Sequence, residues 1–309
     1  MERKKVLVTG ANGFLGKKLC EELKNKTIPF KSIYGASSKK ENSCDFSKNF
    51  DLTSYLKETH TVVHCAGRAH IFKKDSANKK LFYKINQESI EKLAKQCIES
   101  GVKKFILIST AGVMGRISNS PNKLSVINKP KPFDDYTLSK LEGENALVSS
   151  CKNNEMKYTI LRPPLIYGPN APGNWKRLNK LLSLKIPLPF KNINNKRSFV
   201  FLDNLIDLII KCIFDQKANN QIFNVSDNED ISTSELINLL LKASNLPNNM
   251  FSLNENVLIF IASLIGRKST MQQLICNLQL DVNPTMIQLD WKPKYSVEEA
   301  INLSVKNFP

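Results

Sequence analysis

The sequence has few of the residues that build metal sites. Its three histidines form no HExxH arrangement, and its seven cysteines are widely separated, the closest two being Cys44 and Cys65. Zinc sites and CxxC redox motifs need much shorter spacings. We therefore expect no metal in the functional site, reduced thiols and a cytoplasmic protein.

The sequence also lacks a hydrophobic run long enough for a membrane helix. The most apolar stretch near the C-terminus, residues 257–265, is far shorter than the roughly 20 residues that cross a bilayer. The first five residues lead directly into a strand-like segment, unlike a secretory signal. We expect no membrane insertion.

Acidic residues are scarce relative to basic ones. The 28 acidic side chains against 45 Lys and Arg give a formal net charge of +17. Such a charge attracts anions: nucleic acid, a phospholipid surface or a phosphorylated substrate. The lysines are spread over the whole chain, however, and Asn and Ile are also abundant, so a general compositional bias also explains the charge. We expect no nucleic-acid partner.

The first half of the chain alternates between strand-like and helix-like segments. Short β-branched runs at 5–8, 30–34, 61–64 and 105–108 are separated by amphipathic stretches at 17–26 and 85–99. Strands that are apolar along their full length indicate a parallel sheet covered on both faces. The prediction is an α/β fold, a Rossmann-type doubly wound parallel sheet, followed by a smaller, mainly helical C-terminal unit.

A glycine-rich loop joins the first predicted strand to the first predicted helix. Gly10, Gly13 and Gly16 allow a tight turn, close approach of a pyrophosphate to the backbone, and close packing of the helix on the strand. The anion would lie at the positive end of the helix dipole. This context predicts a dinucleotide site.

The end of the second strand bears on which dinucleotide binds. Residues 33–40 contain no acid that could accept hydrogen bonds from the adenosine ribose. Ser37 and Lys39 suit a 2′-phosphate instead, so we expect NADP in preference to NAD. A lysine-containing loop in a lysine-rich chain is the alternative explanation.

A tyrosine and a lysine one helical turn apart are the candidate catalytic pair. Tyr136 and Lys140 precede or begin a helical run and share one helix face. A nearby ammonium stabilises a phenolate, so Tyr136 is predicted to act as acid or base near neutral pH. Ser109 and Thr110 follow an apolar strand, where α/β sheets hold their ligands.

Five motifs in order and register resemble the extended short-chain dehydrogenase/reductase family along essentially the whole chain. They are TGANGFLG at 9–16, HCAG at 64–67, ISTAGVMG at 108–115, YTLSK at 136–140 and LRPPLIYGP at 161–169.

The resemblance implies roles for single residues. Thr110 binds the substrate through its hydroxyl, Tyr136 is the acid/base, and Lys140 holds the nicotinamide ribose and lowers the pKa of the tyrosine. Asp45 contacts the adenine, and Asn86 supports the site. The expected cofactor contacts are Gly10, Asn12, Gly13, Phe14, Leu15, Gly16, Ser37, Lys39, Asp45, Cys65, Ala66, Gly67, Asn86, Tyr136, Lys140 and Pro163.

The second half resembles that of nucleotide-sugar enzymes. Asn174 is similar to an asparagine that meets the nucleotide diphosphate, and Arg197 to an arginine that clamps it. A planar guanidinium binds phosphate oxygens in a bidentate manner, although a solvated loop cation is the alternative. Asp281 is similar to an acid that accepts from the uridine ribose. The implied substrate is a UDP-sugar.

The resemblance also implies an organisation for the chain. An NAD(P)-binding Rossmann domain covers 1–168, to which the chain returns around 198–218, and a nucleotide-sugar-binding domain covers 169–309. A homodimer is expected through the helices at 85–99 and 138–149.

Three reactions share such a site. Sugar-nucleotide 4,6-dehydratases place an Asp-Glu pair after the catalytic threonine, whereas Ala111 and Gly112 follow Thr110, so a dehydratase is disfavoured. Leu165 and the two prolines before it replace residues that hold substrate and cofactor in the UDP-galactose 4-epimerases. This replacement disfavours simple galactose/glucose epimerisation. The chain as a whole resembles reductases of UDP-4-keto-6-deoxy-N-acetylhexosamines in surface-polysaccharide (O-antigen or capsule) synthesis. We therefore expect a reductase of this kind. A UDP-glucose or UDP-N-acetylglucosamine 4-epimerase is the alternative.

A third hypothesis belongs to another class. A non-catalytic NAD(P)-binding regulator would use the fold as a sensor, with the charge of +17 as its footprint. Such a protein has no need of a tuned phenol, so Thr110, Tyr136 and Lys140 favour an enzyme.

Overall fold

A computed structural model describes residues 4–38, 40–68, 76–119 and 122–305 of the chain. The strands are β1 (Val6–Thr9), β2 (Phe30–Gly35), β3 (Ser43–Cys44), β4 (Thr61–His64), β5 (Lys104–Ile108), β6 (Lys157–Arg162), β7 (Leu165–Tyr167), β8 (Phe199–Phe201) and β9 (Gln221–Asn224). The α-helices of the N-terminal half are α1 (Phe14–Asn25), α2 (Thr53–Leu56), α3 (Ser76–Tyr83), α4 (Ser89–Glu99) and α5 (Asp135–Cys151).

The α-helices of the second half lie after the motif at 161–169. They are α6 (Asn174–Ser183), α7 (Leu202–Phe214), α8 (Thr233–Ala243), α9 (Glu255–Leu264), α10 (Lys268–Ile275), α11 (Asn283–Leu289) and α12 (Val297–Val305). None of the helices in the described ranges combines the length and the apolar character that crossing a bilayer requires.

Seven strands form one parallel sheet in the order β3-β2-β1-β4-β5-β6-β9. β1, β4 and β5 are buried at every position, because helices cover both faces of the sheet. The predicted Rossmann-type α/β fold is confirmed. The strand order reverses between β1 and β4, whose carboxyl ends lie side by side with Thr9 opposite His64, and such a switch point is where open α/β sheets bind ligands.

Three apolar cores hold these layers together. One lies between the sheet and helices α1 and α7, and another between the sheet and helices α4 and α5. The third is built from residues 167–305, on α6, α8 and α12, and lies outside the seven-stranded sheet. The predicted domain boundary at residue 168 stays a prediction.

The predicted elements lie close to the observed ones, with two informative differences at the starts of helices. Helix α1 begins at Phe14, three residues before the predicted start, because Lys17 N–H already donates to the carbonyl oxygen of Gly13 at 2.9 Å. The helix predicted over 85–99 is interrupted at its start by a π-helical turn, Lys84–Glu88. That turn carries Asn86, and π-turns occur frequently at functional sites.

Candidate functional site

The glycine loop lies against the end of β4. Gly10 has φ +70°, and a Cβ there would lie 2.7 Å from the backbone nitrogen of Ala66. A Cβ on Gly16 would overlap the carbonyl oxygen of Gly10. These two glycines therefore let the start of α1, the loop and the β4 end approach one another closely.

The same loop is tied to the end of β2 by one side chain. Asn12 Oδ1 accepts from Gly35 N–H at 2.7 Å, and Asn12 Nδ2 donates to Ser37 Oγ at 3.3 Å. The structure thus brings two groups of predicted cofactor residues together. Lys39, a further predicted contact, lies outside the described residues.

The geometry of the loop fits a dinucleotide. Gly13 is the N-cap of α1 and has no side chain to occupy the first N–H groups of the helix. Those groups are therefore free to bind an anion. Among the other predicted contacts, Phe14 is half-buried, and Leu15 and Gly16 are buried within α1.

The segment after β4 meets the lysine of the predicted pair. A Cβ on Gly67 would lie 3.5 Å from Asn86 Oδ1 and 3.6 Å from Lys140 Nζ. The backbone at Gly67 therefore passes close to these two side chains. Burial raises the pKa of the Cys65 thiol far above its ordinary value, so it stays protonated.

Asn86 is buried and fully engaged. Its Oδ1 accepts from Arg68 N–H at 3.1 Å, and its Nδ2 donates to Ser139 Oγ at 3.0 Å. A Cβ on Gly143 of α5 would overlap the Asn86 carbonyl oxygen, so the π-turn and α5 pack with no spare space. Asn86 therefore holds the chain beyond β4 in place, and its role in the site stays a prediction.

Thr110 follows β5 and begins a turn. It caps the 3₁₀-helix Ala111–Met114, and its Oγ1 accepts from Gly112 N–H at 3.2 Å. The neighbouring Ala111 N–H donates to the carbonyl oxygen of Pro163 at 2.8 Å. Pro163, predicted as a cofactor contact, is thereby placed beside Thr110.

Tyr136 lies in the first turn of α5, where a capping box fixes the start of the helix. Asp134 accepts from Thr137 N–H at 2.8 Å, while Thr137 Oγ1 accepts from Asp134 N–H at 3.2 Å. The Tyr136 ring packs 5.8 Å from that of Phe82, centroid to centroid. Local sequence therefore positions the phenol.

Lys140 is buried one turn further along α5. Its Nζ donates to the carbonyl oxygen of Ile108, the last residue of β5, at 2.7 Å. Burial lowers the pKa of Lys140 to about 8, while the carboxylate of Glu144 opposes the shift. The ammonium is fixed at the sheet edge between β4 and β5.

The pKa of Tyr136 differs from the sequence expectation. Burial raises the pKa of this phenol to about 12, the neighbouring Thr110 hydroxyl opposes the rise, and Asp134 adds to it. The expected lowering by Lys140 is not among the causes of this shift. The physical reason is that removal from water disfavours the phenolate more than the Thr110 hydroxyl favours it.

A buried ion pair behind Lys140 was not predicted. Arg162 Nη2 pairs with Glu144 Oε2 at 2.5 Å, and Arg162 Nε lies 3.1 Å from Glu144 Oε1. Ser109 Oγ donates to the same carboxylate, and Met114 accepts from Arg162 Nη1. Two sequence signals were available: Glu144 is four residues after Lys140 on one helix face, and Arg162 ends an apolar strand.

The carboxylates of Asp45 and Asp281 accept hydrogen bonds from residues two positions further along the chain. The Asp45 carboxylate accepts from Ser47 N–H at 3.0 Å and Ser47 Oγ at 2.6 Å, and these bonds lower the pKa of Asp45. The Asp281 carboxylate accepts from Asn283 N–H at 3.2 Å at the start of α11. Neither is brought into contact with Thr110 or Tyr136 by a hydrogen bond among the described residues.

The two predicted diphosphate contacts lie in different settings. Asn174 is exposed at the first position of α6. Arg197 is half-buried, and its Nη1 donates to the carbonyl oxygens of Gln273 at 2.5 Å and Cys276 at 3.0 Å. Arg197 therefore ties the end of α10 to the segment before β8.

Comparisons with known proteins agree with this architecture. The profile of the NAD dependent epimerase/dehydratase family matches residues 6–226. The chain is similar to a Vibrio cholerae protein named UDP-glucose 4-epimerase, with 36% identity over 99% of this chain and 95% of that protein. It is also similar to an Escherichia coli dTDP-4-dehydro-6-deoxyglucose reductase, with 25% identity over 98% of this chain and 96% of that protein.

Solved structures share the fold at low identity. A UDP-glucuronic acid 4-epimerase from Bacillus cereus, in complex with NAD, has a TM-score of 0.75 and 22% identity, covering 97% of this chain and 95% of that one. The RMD protein from Pseudomonas aeruginosa, complexed with NADPH, has a TM-score of 0.76 and 16% identity, covering 97% of this chain and 98% of that one. With a matching profile over most of its length and a relative at 36% identity from end to end, the chain belongs to the NAD dependent epimerase/dehydratase family.

Proposed function

We propose that this chain is an NAD(P)-dependent oxidoreductase that acts at C4 of a UDP-sugar. The observation that carries the proposal is the placement of Thr110, Tyr136 and buried Lys140 beside a glycine loop that fits a dinucleotide. An Ala-Gly sequence after Thr110 leaves no carboxylate for dehydration.

The residues of the chain divide the chemistry among them. When bound, NAD(P)H supplies the hydride that adds to C4. Tyr136 donates its phenolic proton to the oxygen on C4, and the Thr110 hydroxyl donates a hydrogen bond to the same oxygen. Lys140 holds the nicotinamide ribose through its ammonium, which the Ile108 carbonyl orients.

The dinucleotide would be held mainly by backbone groups. The first N–H groups of α1 would hold the pyrophosphate, and the backbone at 65–67 would bind the nicotinamide end. Ser37, which Asn12 holds just after β2, would bind near the adenosine ribose. Because residues 33–40 contain no acid, NADP is favoured over NAD.

We favour reduction of a UDP-4-keto-6-deoxy-N-acetylhexosamine, a step in surface-polysaccharide synthesis. Burial raises the pKa of Tyr136 to about 12, so the phenol holds its proton at neutral pH, as either reaction needs when a keto group at C4 is reduced. A reductase exchanges its cofactor at each turnover, which agrees with an NADP-type loop at Ser37. Asn174, Arg197 and Asp281 are the proposed contacts to the UDP portion.

A 4-epimerase is the second candidate. The similarity to the Vibrio cholerae UDP-glucose 4-epimerase, at 36% identity over 99% of this chain, favours it. That reaction would interconvert UDP-glucose or UDP-N-acetylglucosamine with its C4 epimer and would leave the cofactor unchanged overall.

We also propose a cytoplasmic homodimer with a dinucleotide domain at 1–168, to which the chain returns around 198–218, and a substrate domain at 169–309. The family pattern would place the dimer contact on α4 and α5. A sedimentation experiment that shows only monomer at micromolar concentration would contradict the dimer.

Absorbance at 340 nm tests the reaction. Purified protein is mixed with stoichiometric NADPH or NADH and a dehydratase-generated UDP-4-keto-6-deoxy-N-acetylhexosamine, and the sugar product is identified by NMR. One cofactor oxidised per sugar supports the reductase. No net oxidation, with UDP-glucose or UDP-N-acetylglucosamine converted to its epimer, supports the epimerase and contradicts reduction.

A tyrosine variant separates an enzyme from a binding protein. Tyr136→Phe removes the proton donor and should lower kcat by about 10²–10⁴-fold. Tyr158→Phe, half-buried on β6, is the matched control and should keep wild-type turnover. A wild-type protein that binds NAD(P)H but turns over none of these sugars would favour the regulator.

A further inference from the structure

Helix α9 carries apolar side chains on the face that it turns to solvent. Val257, Phe260, Ile261 and Leu264 follow the spacing i, i+3, i+4, i+7 and are all exposed. Ile265 follows the helix. Phe260, Leu264 and Ile265 are 62%, 71% and 69% exposed. We call these five residues the α9 surface.

The opposite face of the same helix is packed in the protein. Leu258 lies in the C-terminal core, and Ala262 is also buried. A helix that is apolar all round is typically covered on all sides. A contiguous exposed apolar patch on a protein marks an interaction site. The α9 surface is therefore a candidate interaction site.

Positive charge borders this surface. Arg267 and Lys268 follow Ile265 after one glycine and are exposed. Residues 255–276 contain a single acid, Glu255, which begins α9 at its other end. Arg116 adds a third cation, because its Nη2 donates to the carbonyl oxygen and Oγ of Ser269 at 2.8 and 2.6 Å.

We propose that the α9 surface docks on an anionic lipid bilayer. Phe, Ile and Leu side chains would enter the boundary between headgroups and acyl chains, while Arg116, Arg267 and Lys268 would lie among the lipid phosphates. A second copy of the chain fits this surface less well. A two-fold contact here would bring the same cations of two chains, each of net charge +17, together.

The docking surface is connected to the candidate site. The Arg116 guanidinium lies 5.8 Å from the centre of the Phe133 ring. A Cβ on Gly112 would lie 3.7 Å from Phe133, and Gly112 N–H donates to Thr110. Docking would therefore hold the edge of this site beside the bilayer.

Vesicle sedimentation tests the proposal. Full-length protein is mixed with vesicles of phosphatidylcholine alone or of phosphatidylcholine with phosphatidylglycerol, at low and high NaCl. The wild type should sediment with the anionic vesicles and dissociate as salt increases. The double variant Phe260→Ser/Leu264→Ser should lower the partition coefficient about tenfold or more. Arg267→Gln and Lys268→Gln should each lower it about fivefold.

A matched variant controls for a general loss of exposed apolar area. Ile287→Ser removes a side chain that is 81% exposed on α11, away from α9 in the sequence, and should leave the partition unchanged. Thermal unfolding and NAD(P)H binding of every variant should equal those of the wild type. Vesicle binding needs no turnover, so its result is independent of the proposed reaction.

Three results would overturn the proposal. The first is a wild type that stays in solution with anionic vesicles. The second is a Phe260→Ser/Leu264→Ser variant that binds as the wild type does, which would mean adsorption by charge alone. The third is a wild-type dimer that this variant dissociates while vesicles bind neither protein, which would assign the α9 surface to a second copy.

Discussion

The edge of the sheet and the C-terminal segments differ in how deeply they bury the polar side chains predicted to bind ligands. At the sheet edge, Asn86 and Lys140 are buried and hydrogen-bonded to the backbone around the glycine loop and β5. In the second half, Arg197 and Asp281 bind carbonyl and N–H groups of their own surroundings, and Asn174 is exposed.

The difference teaches how each half would recognise its ligand. A dinucleotide cradle uses backbone N–H groups and close approach, so glycine spacing is sufficient to specify it. Recognition of a UDP-sugar depends on side chains that distant segments bring together. In the first kind of site, hydrogen bonds of Asn12 and Asn86 hold the backbone in place, whereas Arg197 and Asp281 would have to exchange their present backbone partners for a ligand.

The largest expected effect is on the buried pair that supports the sheet edge. Glu144→Gln leaves the Arg162 charge buried without its partner, which should lower the free energy of unfolding by about 3–5 kcal/mol. Urea unfolding measures it. Glu142→Gln, half-buried on the same helix, is the control and should change stability by less than about 1 kcal/mol. Equal effects of both substitutions would show that the buried pair contributes no more to stability than a half-buried side chain of the same helix.

The next effect is a dependence on pH. Because burial lowers the pKa of folded Lys140 to about 8, the unfolded chain binds more protons between pH 8 and the ordinary lysine value. The stability of the wild type should therefore rise relative to Lys140→Met as pH increases through this range, by about 3 kcal/mol in full. Urea unfolding of both proteins from pH 7 to 10 measures it. A pH-independent difference would show that folded Lys140 keeps the ordinary pKa of a lysine, so that burial does not disfavour its ammonium form.

A smaller effect tests the contact between α5 and the π-turn. Alanine normally favours a helix over glycine by about 1 kcal/mol. Gly143→Ala should nevertheless destabilise the protein by about 1–3 kcal/mol, since the added Cβ overlaps the Asn86 carbonyl. It should also weaken NAD(P)H binding, measured by fluorescence titration. Ser149→Ala, exposed on the same helix, should be neutral or slightly stabilising.

The smallest effect probes the second half. Arg197→Gln should raise KM for the UDP-sugar about tenfold with little change in kcat if the guanidinium binds the diphosphate. Arg177→Gln, exposed on α6, is the control. A lower Tm with an unchanged KM would show that Arg197 only connects the end of α10 to the segment before β8. The second half would then lack a diphosphate contact that its sequence predicts.

The sequence predicts the structure of the sheet edge more fully than that of the second half. Local periodicity and glycine spacing predict β1, α1 and the loop between them, because the chemistry there depends on neighbours in the chain. The Glu144–Arg162 pair joins a helix to a strand that neither periodicity nor spacing connects. The partners of Arg197 lie on α10, nearly eighty residues away, and their contact depends on tertiary packing.

The pKa of Tyr136 shows the same limit. The spacing to Lys140 is visible in the sequence, but the Ile108 carbonyl that receives the ammonium is not. The balance between burial and charge therefore has to be read from the folded chain.

The π-helical turn at Lys84–Glu88 has a consequence for how this protein evolves and is engineered. A π-turn holds one residue more than an α-turn. Deleting one residue there would restore a regular helix and rotate Asn86 away from Gly67 while keeping every motif letter intact. The function of the site therefore depends on the number of residues in this turn as well as on the motifs. A comparison of motifs alone would not detect such a deletion.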